Sequence, residues 1–268
     1  MTDDRRPVAV VTGASAGLGR AYAARLAERG EDLVLVARRL DRLEELAAQL
    51  RERHGVLVDV VAADLVRREA PAEIAAELAA RGLRAATLVN CAGFGTAGRF
   101  AGEDPERIAD EMAVDVVAPT LLARRLLPDL LAVPGGALLM VSSTAGHQPI
   151  PNLAVYAASK AFVTSLTAAI WQETRGSGLR VLAVCPGPTA TEFFDVAGSR
   201  QFQVGRLASI DEVVDFTVRA IDRRGGGPIA THGLGNRIQS SAARLAPRRL
   251  SLAVAQRATA AAGARDGA

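Results

Sequence analysis

Tyr156-Ala-Ala-Ser-Lys160 places a phenol and an ammonium four residues apart in a stretch that reads as helix, so both groups lie on one face, a single turn apart. An ammonium beside a phenol favours the phenolate and lowers the phenol from its free pKa of about 10, making it a proton donor and acceptor near neutral pH. Lys160 is the only lysine among the chain's 32 basic side chains, and Tyr156 is one of 2 tyrosines. Arginine supplies charge but not a compact, rotatable ammonium, which gives a chemical reason for one site to hold lysine. Ser143 stands earlier, at the end of an apolar run, where its hydroxyl can reach the same substrate oxygen. Ser143, Tyr156 and Lys160 are therefore the candidate catalytic groups, for acid and base chemistry at a carbonyl or alcohol.

A second pattern concerns phosphate. Thr12-Gly13-Ala14-Ser15-Ala16-Gly17-Leu18-Gly19 follows an apolar run and opens an amphipathic helical stretch. Glycines there permit a tight turn and close approach of backbone to a pyrophosphate, whose charge is met by N–H groups at the helix start. The spacing is Gly-x-x-x-Gly-x-Gly, so a plain strand-to-helix turn stays open on this motif alone. The second apolar run ends Ala37-Arg38-Arg39, where a fold using NAD would place a carboxylate for the ribose 2′-hydroxyl. Guanidiniums pair with phosphate through two parallel hydrogen bonds, so Arg38 and Arg39 favour NADP over NAD. The competing reading is a solvated helix start.

These groups need a scaffold. Apolar runs at 8–11, 33–37, 58–62, 87–90, 137–142, 180–184 and, weakly, 228–230 alternate with amphipathic helical stretches such as 40–53. That alternation predicts an α/β fold, a doubly wound parallel sheet of about seven strands in a single domain, with ligands beyond the carboxyl ends of the strands. Continuous Val, Leu and Ala runs are what a sheet covered on both faces requires. Stretches 99–104, 191–207 and 224–227 read as loops.

The chain has 268 residues, 49% hydrophobic and 23% charged, enough to bury a sizeable core. Two cysteines, Cys91 and Cys185, cannot form a disulfide framework, and no apolar stretch is long enough for a signal peptide or membrane span, so a reduced, cytoplasmic protein is expected. Of the net charge of +3, residues 236–268 carry +5 and residues 1–235 carry −2. A slightly acidic domain with 4% aromatic residues argues against nucleic acid as a partner. The three histidines are scattered, and no metal site is expected.

With these residues in view, the chain resembles the short-chain dehydrogenase/reductase family, in its single-domain, NAD(P)-dependent branch, over roughly residues 7–231. TGASAGLG, the Asn90-Cys91-Ala92-Gly93 turn, Ser143, YAASK and Pro186-Gly187-Pro188-Thr189 occur in family order and spacing. The resemblance implies Tyr156 as general acid in reduction and base in oxidation, Lys160 binding the nicotinamide ribose and lowering the tyrosine's pKa, and Ser143 orienting the carbonyl. It also implies that Gly13, Ser15, Gly17, Leu18 and Gly19 hold the pyrophosphate and that Asp64 and Leu65 meet the adenine. Asn90, Ala92 and Gly93 would line the nucleotide cleft, with Pro186, Gly187, Thr189 and Thr191 at the nicotinamide end. Asp64 as a helix N-cap, and 186–188 as a plain turn, remain open. Many members carry an asparagine in a proton relay where this chain has Asp115, which departs from the pattern and stays outside the catalytic set.

The expected activity is NADP-dependent interconversion of a ketone or aldehyde and an alcohol by hydride transfer; the alternative is a catalytically weak dinucleotide-binding sensor or scaffold. Phe94, Phe100, Phe193, Phe194 and Phe202 fall near the open end of the cleft and point to an apolar small-molecule substrate. A homo-oligomer is expected through helices around 108–131 and 152–174. The division is a domain at 1–235 and a basic amphipathic tail at 236–268. In the tail, Ile238 and Leu245 are expected to dock on the enzyme, a largely alanine apolar face argues against a membrane, and the last ten or so residues are expected to lack fixed structure.

Overall fold

The computed structural model describes residues 4–198, 206–223 and 225–263. Its sheet contains β1 (Arg6–Thr12), β2 (Leu33–Ala37), β3 (Val58–Ala62), β4 (Leu83–Asn90), β5 (Ala137–Val141), β6 (Arg180–Cys185) and β7 (Ile229–Thr231). All neighbours pair in parallel, in the order β3-β2-β1-β4-β5-β6-β7. This is the expected single-domain, doubly wound Rossmann fold, and its order reverses between β1 and β4, where such sheets open a ligand crevice.

Alternate residues of each strand feed opposite faces, which explains the unbroken apolar runs. Ala9, Val11, Leu35 and Val184 face one cluster, completed by α1 (Gly17–Glu28), α2 (Leu40–His54) and α8 (Ile210–Asp222) through Tyr22, Leu43, Leu46 and Val214. Val8, Val10, Leu88 and Leu138 face the other, covered by α3 (Ala70–Ala80), α5 (Ala118–Ala132) and α6 (Ala154–Glu173) through Ile74, Leu122 and Val163. Truncating a fully buried leucine such as Leu88, Leu122 or Leu138 to alanine costs about 2–5 kcal/mol.

Several loop expectations change. Stretch 99–104 contains a short 3₁₀ turn, Phe100–Gly102, and the Phe100 ring is exposed, so it does not line the cleft. Stretch 191–207 contains α7 (Phe193–Ala197), while Phe202 lies outside the described residues. Between α4 (Pro105–Met112) and α5 the helix widens into a π-turn, Ala113–Val117, which carries Asp115.

The tail departs furthest. It forms α9 (Leu234–Leu245) and α10 (Arg248–Gly263), so the boundary expected at 235 falls inside α9. Ile238 and Leu245 do not dock: they are exposed, while Ser240 is buried and Asn236 and Ala243 are half-buried. Helix α9 turns its polar side inward because that side borders the open cleft and not the apolar core. Helix α10 continues to Gly263, and residues 264–268 lie outside the described residues.

Candidate active site

A cleft of about 570 Å³ runs along the carboxyl ends of the strands and joins the glycine turn, the second strand's arginines and the Ser143-Tyr156-Lys160 group. At its phosphate end, no side-chain oxygen caps α1, leaving first-turn N–H groups for an anion. A Cβ on Gly19 would sit 2.3 Å from the Gly13 carbonyl oxygen, and one on Gly13 would sit 2.9 Å from Ala92, so turn, helix and β4 approach more closely than side chains allow. Thr12, not singled out by the sequence reading, locks this junction: its Oγ1 accepts from the N–H groups of Cys91 at 3.0 Å and Ala92 at 3.1 Å. A hydroxyl at the last residue of β1 was the available signal.

Ser15, Gly17, Leu18, Arg38, Arg39, Asp64, Leu65, Ala92 and Gly93 also line the cleft, as do Pro186, Gly187, Thr189 and Thr191. Asn90 does not. Its amide is buried and donates to the Pro119 carbonyl and to the Met140 sulfur, both at 3.2 Å, so it ties β4 to α5 and β5 beneath the site. Asp64 accepts from the Val66 N–H at 3.2 Å, capping only a turn, since α3 starts at Ala70. Arg39 donates to Ser15 Oγ at 3.1 Å and pairs with Glu192 at 3.6 Å, while Arg42 lies 3.3 Å from the same carboxylate. No carboxylate occupies the end of β2, and the arginines there fit a ribose phosphate better than a bare hydroxyl. The donor set as a whole fits a nicotinamide dinucleotide.

At the other end, Ser143 follows β5 and lines the cleft with Tyr156, and its Oγ accepts from Ala145 N–H at 3.1 Å. The turn of α6 bearing Lys160 is held by two hydroxyls donating to the Lys160 carbonyl, Ser142 at 2.8 Å and Thr164 at 2.9 Å. The Lys160 ammonium lies 5.4 Å from the centre of the Tyr156 ring and donates to the Val141 carbonyl at 3.4 Å. Its strongest partner is Asp115, with Oδ2 at 3.0 Å; Asp115 Oδ1 accepts from Phe94 N–H at 3.0 Å. Burial opposes the ammonium, but Asp115 and Tyr156 outweigh it and raise its pKa to about 12.

The phenol differs from expectation. Burial raises the Tyr156 pKa above its ordinary value; Lys160 and nearby Ser143 pull it down, and Asp115 and Glu111 push it up. The lowering expected from Lys160 is overcome first by burial of the phenol, to which Asp115 adds. Asp115, set aside at the sequence level, is thus part of the constellation. Toward the substrate end, Phe94, Phe193 and Phe194 line the cleft with Ile150 and Leu153, and the Phe193 ring lies 5.0 Å from that of Tyr156. Helices α9 and α10 add Asn236, Gln239, Ser240, Ala243 and Ala255. His147 also faces the cleft, its Nε2 3.4 Å from Thr231 Oγ1.

A parallel dinucleotide-type sheet with a serine, tyrosine and lysine at its carboxyl edge defines an oxidoreductase class. The chain belongs to the short chain dehydrogenase family, which matches residues 7–201. Among relatives, the very-long-chain 3-oxoacyl-CoA reductase of Anas platyrhynchos is 34% identical over 195 residues, covering 70% of this chain. This chain spans only 62% of that relative's length. A short-chain dehydrogenase from Sphingobium yanoikuyae, solved in complex with NADPH, is 35% identical, with a TM-score of 0.79 over 88% of this chain and 91% of that one. The bulky-bulky ketone specific alcohol dehydrogenase from Comamonas testosteroni is 30% identical, with a TM-score of 0.74 over 90% and 92% of the two chains. Among the described residues no helix is long and apolar enough to cross a membrane.

Proposed function

We propose that the protein is an NADP-dependent reductase of ketones or aldehydes, and in reverse an alcohol dehydrogenase. The observation that carries this reading is the continuity of one cleft from the glycine turn and Arg38 to Ser143, Tyr156 and Lys160. The NADPH-complexed relative and the ketone-specific relative support the cofactor and the substrate class.

The dinucleotide supplies the hydride when bound. Gly13, Ser15, Gly17, Leu18 and Gly19 hold its pyrophosphate, Arg38 and Arg39 the 2′-phosphate, and Asp64 and Leu65 the adenine. Ala92, Gly93 and Lys160 serve the ribose, and Pro186, Gly187, Thr189 and Thr191 the nicotinamide end. Ser143 donates a hydrogen bond to the substrate oxygen and fixes it beside the phenol. Tyr156 gives that oxygen its phenolic proton in reduction and takes one back in oxidation. Lys160 stabilises the transient phenolate, at a strength set by its pairing with Asp115. Phe94, Phe193, Phe194, Ile150 and Leu153 exclude water and select an apolar small molecule.

The enzyme acts in the cytoplasm, where Cys91 and Cys185 remain free thiols, and as a homo-oligomer through α5 and α6, where Leu131 and Phe162 are exposed. An NADPH-oxidation screen over ketones of graded chain length tests the activity; turnover of apolar ketones with NADPH supports it, and no turnover of any carbonyl points to the sensor or scaffold. Light scattering tests the assembly, which a monomeric mass at micromolar concentration overturns.

A further inference from the structure

A surface helix ordinarily buries its apolar stripe and shows its polar one. Helix α9 does the reverse. Asn236, Gln239, Ser240 and Ala243 line the cleft, whereas Leu234, Ile238 and Leu245 are 71%, 63% and 87% exposed. The three exposed side chains recur at helical steps along one face, and in α10 Leu250 and Val254, four residues apart on one face, are exposed as well, as is Leu252. A patch of this kind marks a contact surface, not scattered surface leucines.

Charge identifies what covers it. Neither α9 nor α10 contains an aspartate or glutamate, and Arg237, Arg248, Arg249 and Arg257 of the same two helices are all exposed. Two copies of such a face would set cation against cation with no carboxylate to answer it, which disfavours self-association there. An anionic lipid surface satisfies both halves of the pattern, since leucine and isoleucine enter the acyl boundary while arginines meet headgroup phosphates. A face of alanine alone would bury too little apolar area for a membrane; Leu234, Ile238, Leu245, Leu250 and Val254 add larger side chains, all exposed. We infer that α9 and α10 form a peripheral docking surface for an anionic phospholipid bilayer. This surface is separate from the inner side of α9, which lines the cleft, and the inference does not depend on the proposed reaction.

Sedimentation of the full chain with vesicles tests it. With mixed phosphatidylglycerol and phosphatidylcholine vesicles in low salt the protein should pellet, with at least tenfold less bound to phosphatidylcholine alone and a severalfold loss on raising the salt to about 0.5 M. Two variants, Ile238→Gln/Leu245→Gln/Leu250→Gln and Arg237→Gln/Arg248→Gln/Arg249→Gln, should each lose at least tenfold in binding, with melting temperature, oligomeric mass and NADPH oxidation preserved. Should the first variant fail to fold, Leu245→Gln alone and the arginine variant carry the test, with at least a threefold loss expected from the single change. Failure of the wild-type chain to bind anionic vesicles overturns the inference. So does a fall in oligomeric mass in the apolar variant, which would assign the face to a second copy of the chain.

Discussion

Asp115 Oδ2 lies 3.0 Å from Lys160 Nζ, so the ammonium that serves the catalytic phenol is shared with a fully buried carboxylate. The pair is possible because the widened π-turn aims Asp115 across the end of β4, and because Gly93 has no side chain in between. Its consequence is electrostatic. Burial raises the phenol's pKa most; among charged neighbours Lys160 lowers it, opposed by Asp115 and Glu111.

Replacing Asp115 with asparagine removes the anion while keeping the shape. Tyr156 must be protonated to act in reduction, and Asp115 raises its pKa. Asp115→Asn should therefore shift the basic limb of kcat/KM for reduction to lower pH and speed alcohol oxidation near neutral pH. Profiles measured in both directions check this; coincident wild-type and variant limbs would assign Asp115 a purely structural part.

Gly93→Ala should disturb the same pair from another side. The added Cβ would stand 2.8 Å from Asp115 Oδ1 and 3.0 Å from Lys160 Nζ, so the carboxylate or the ammonium must move. A fall in kcat of about tenfold or more is expected, together with a lower melting temperature, since the displaced charges are buried.

Arg38→Asp should reverse the cofactor preference. It replaces a phosphate partner with a carboxylate that repels the 2′-phosphate and accepts from a ribose hydroxyl. Affinity for NADPH should drop by tenfold or more and that for NADH should rise, both read from fluorescence titration. Unchanged preference would move the 2′-phosphate contact to Arg39 or Arg42.

Glu111 tests the same acidic neighbourhood through stability. Burial first, then Asp115 and Glu103, raise its pKa from 4.5 to about 7, against a lowering by nearby Thr96. The folded state thus holds a proton that the unfolded chain has lost, and stability falls as pH rises from about 4.5 to about 7. Glu111→Gln should remove that fall and stabilise the protein at pH 8, by at most about 3 kcal/mol at 1.36 kcal/mol per unit, with little effect at pH 4. Denaturant melts at the two pH values measure it.

Much of this was legible in the chain itself. Periodicity located every strand of the sheet, because a doubly covered sheet writes itself as unbroken apolar runs, and spacing alone aligned Tyr156 with Lys160. What escaped was set by three-dimensional encounter. The Asp115 pairing depends on a π-turn that no local pattern announces, and burial, with Asp115 adding to it, reverses the expected sign of the Tyr156 shift. Asn90 and Thr12 are polar residues at strand ends, and only the neighbouring strands decide that one supports the core and the other the glycine turn. The stripe on α9 was visible, but which side faces the protein depends on the cleft it borders.

The central claim is that Tyr156 is the proton donor at the substrate carbonyl. Single-turnover reduction by Tyr156→Phe, with NADPH binding measured on the same sample, tests it most directly. The account predicts near-normal NADPH affinity and a rate lower by about two to four orders of magnitude, the scale of a positioned general acid. Wild-type single-turnover rates in the phenylalanine variant, on any good carbonyl substrate, would contradict it.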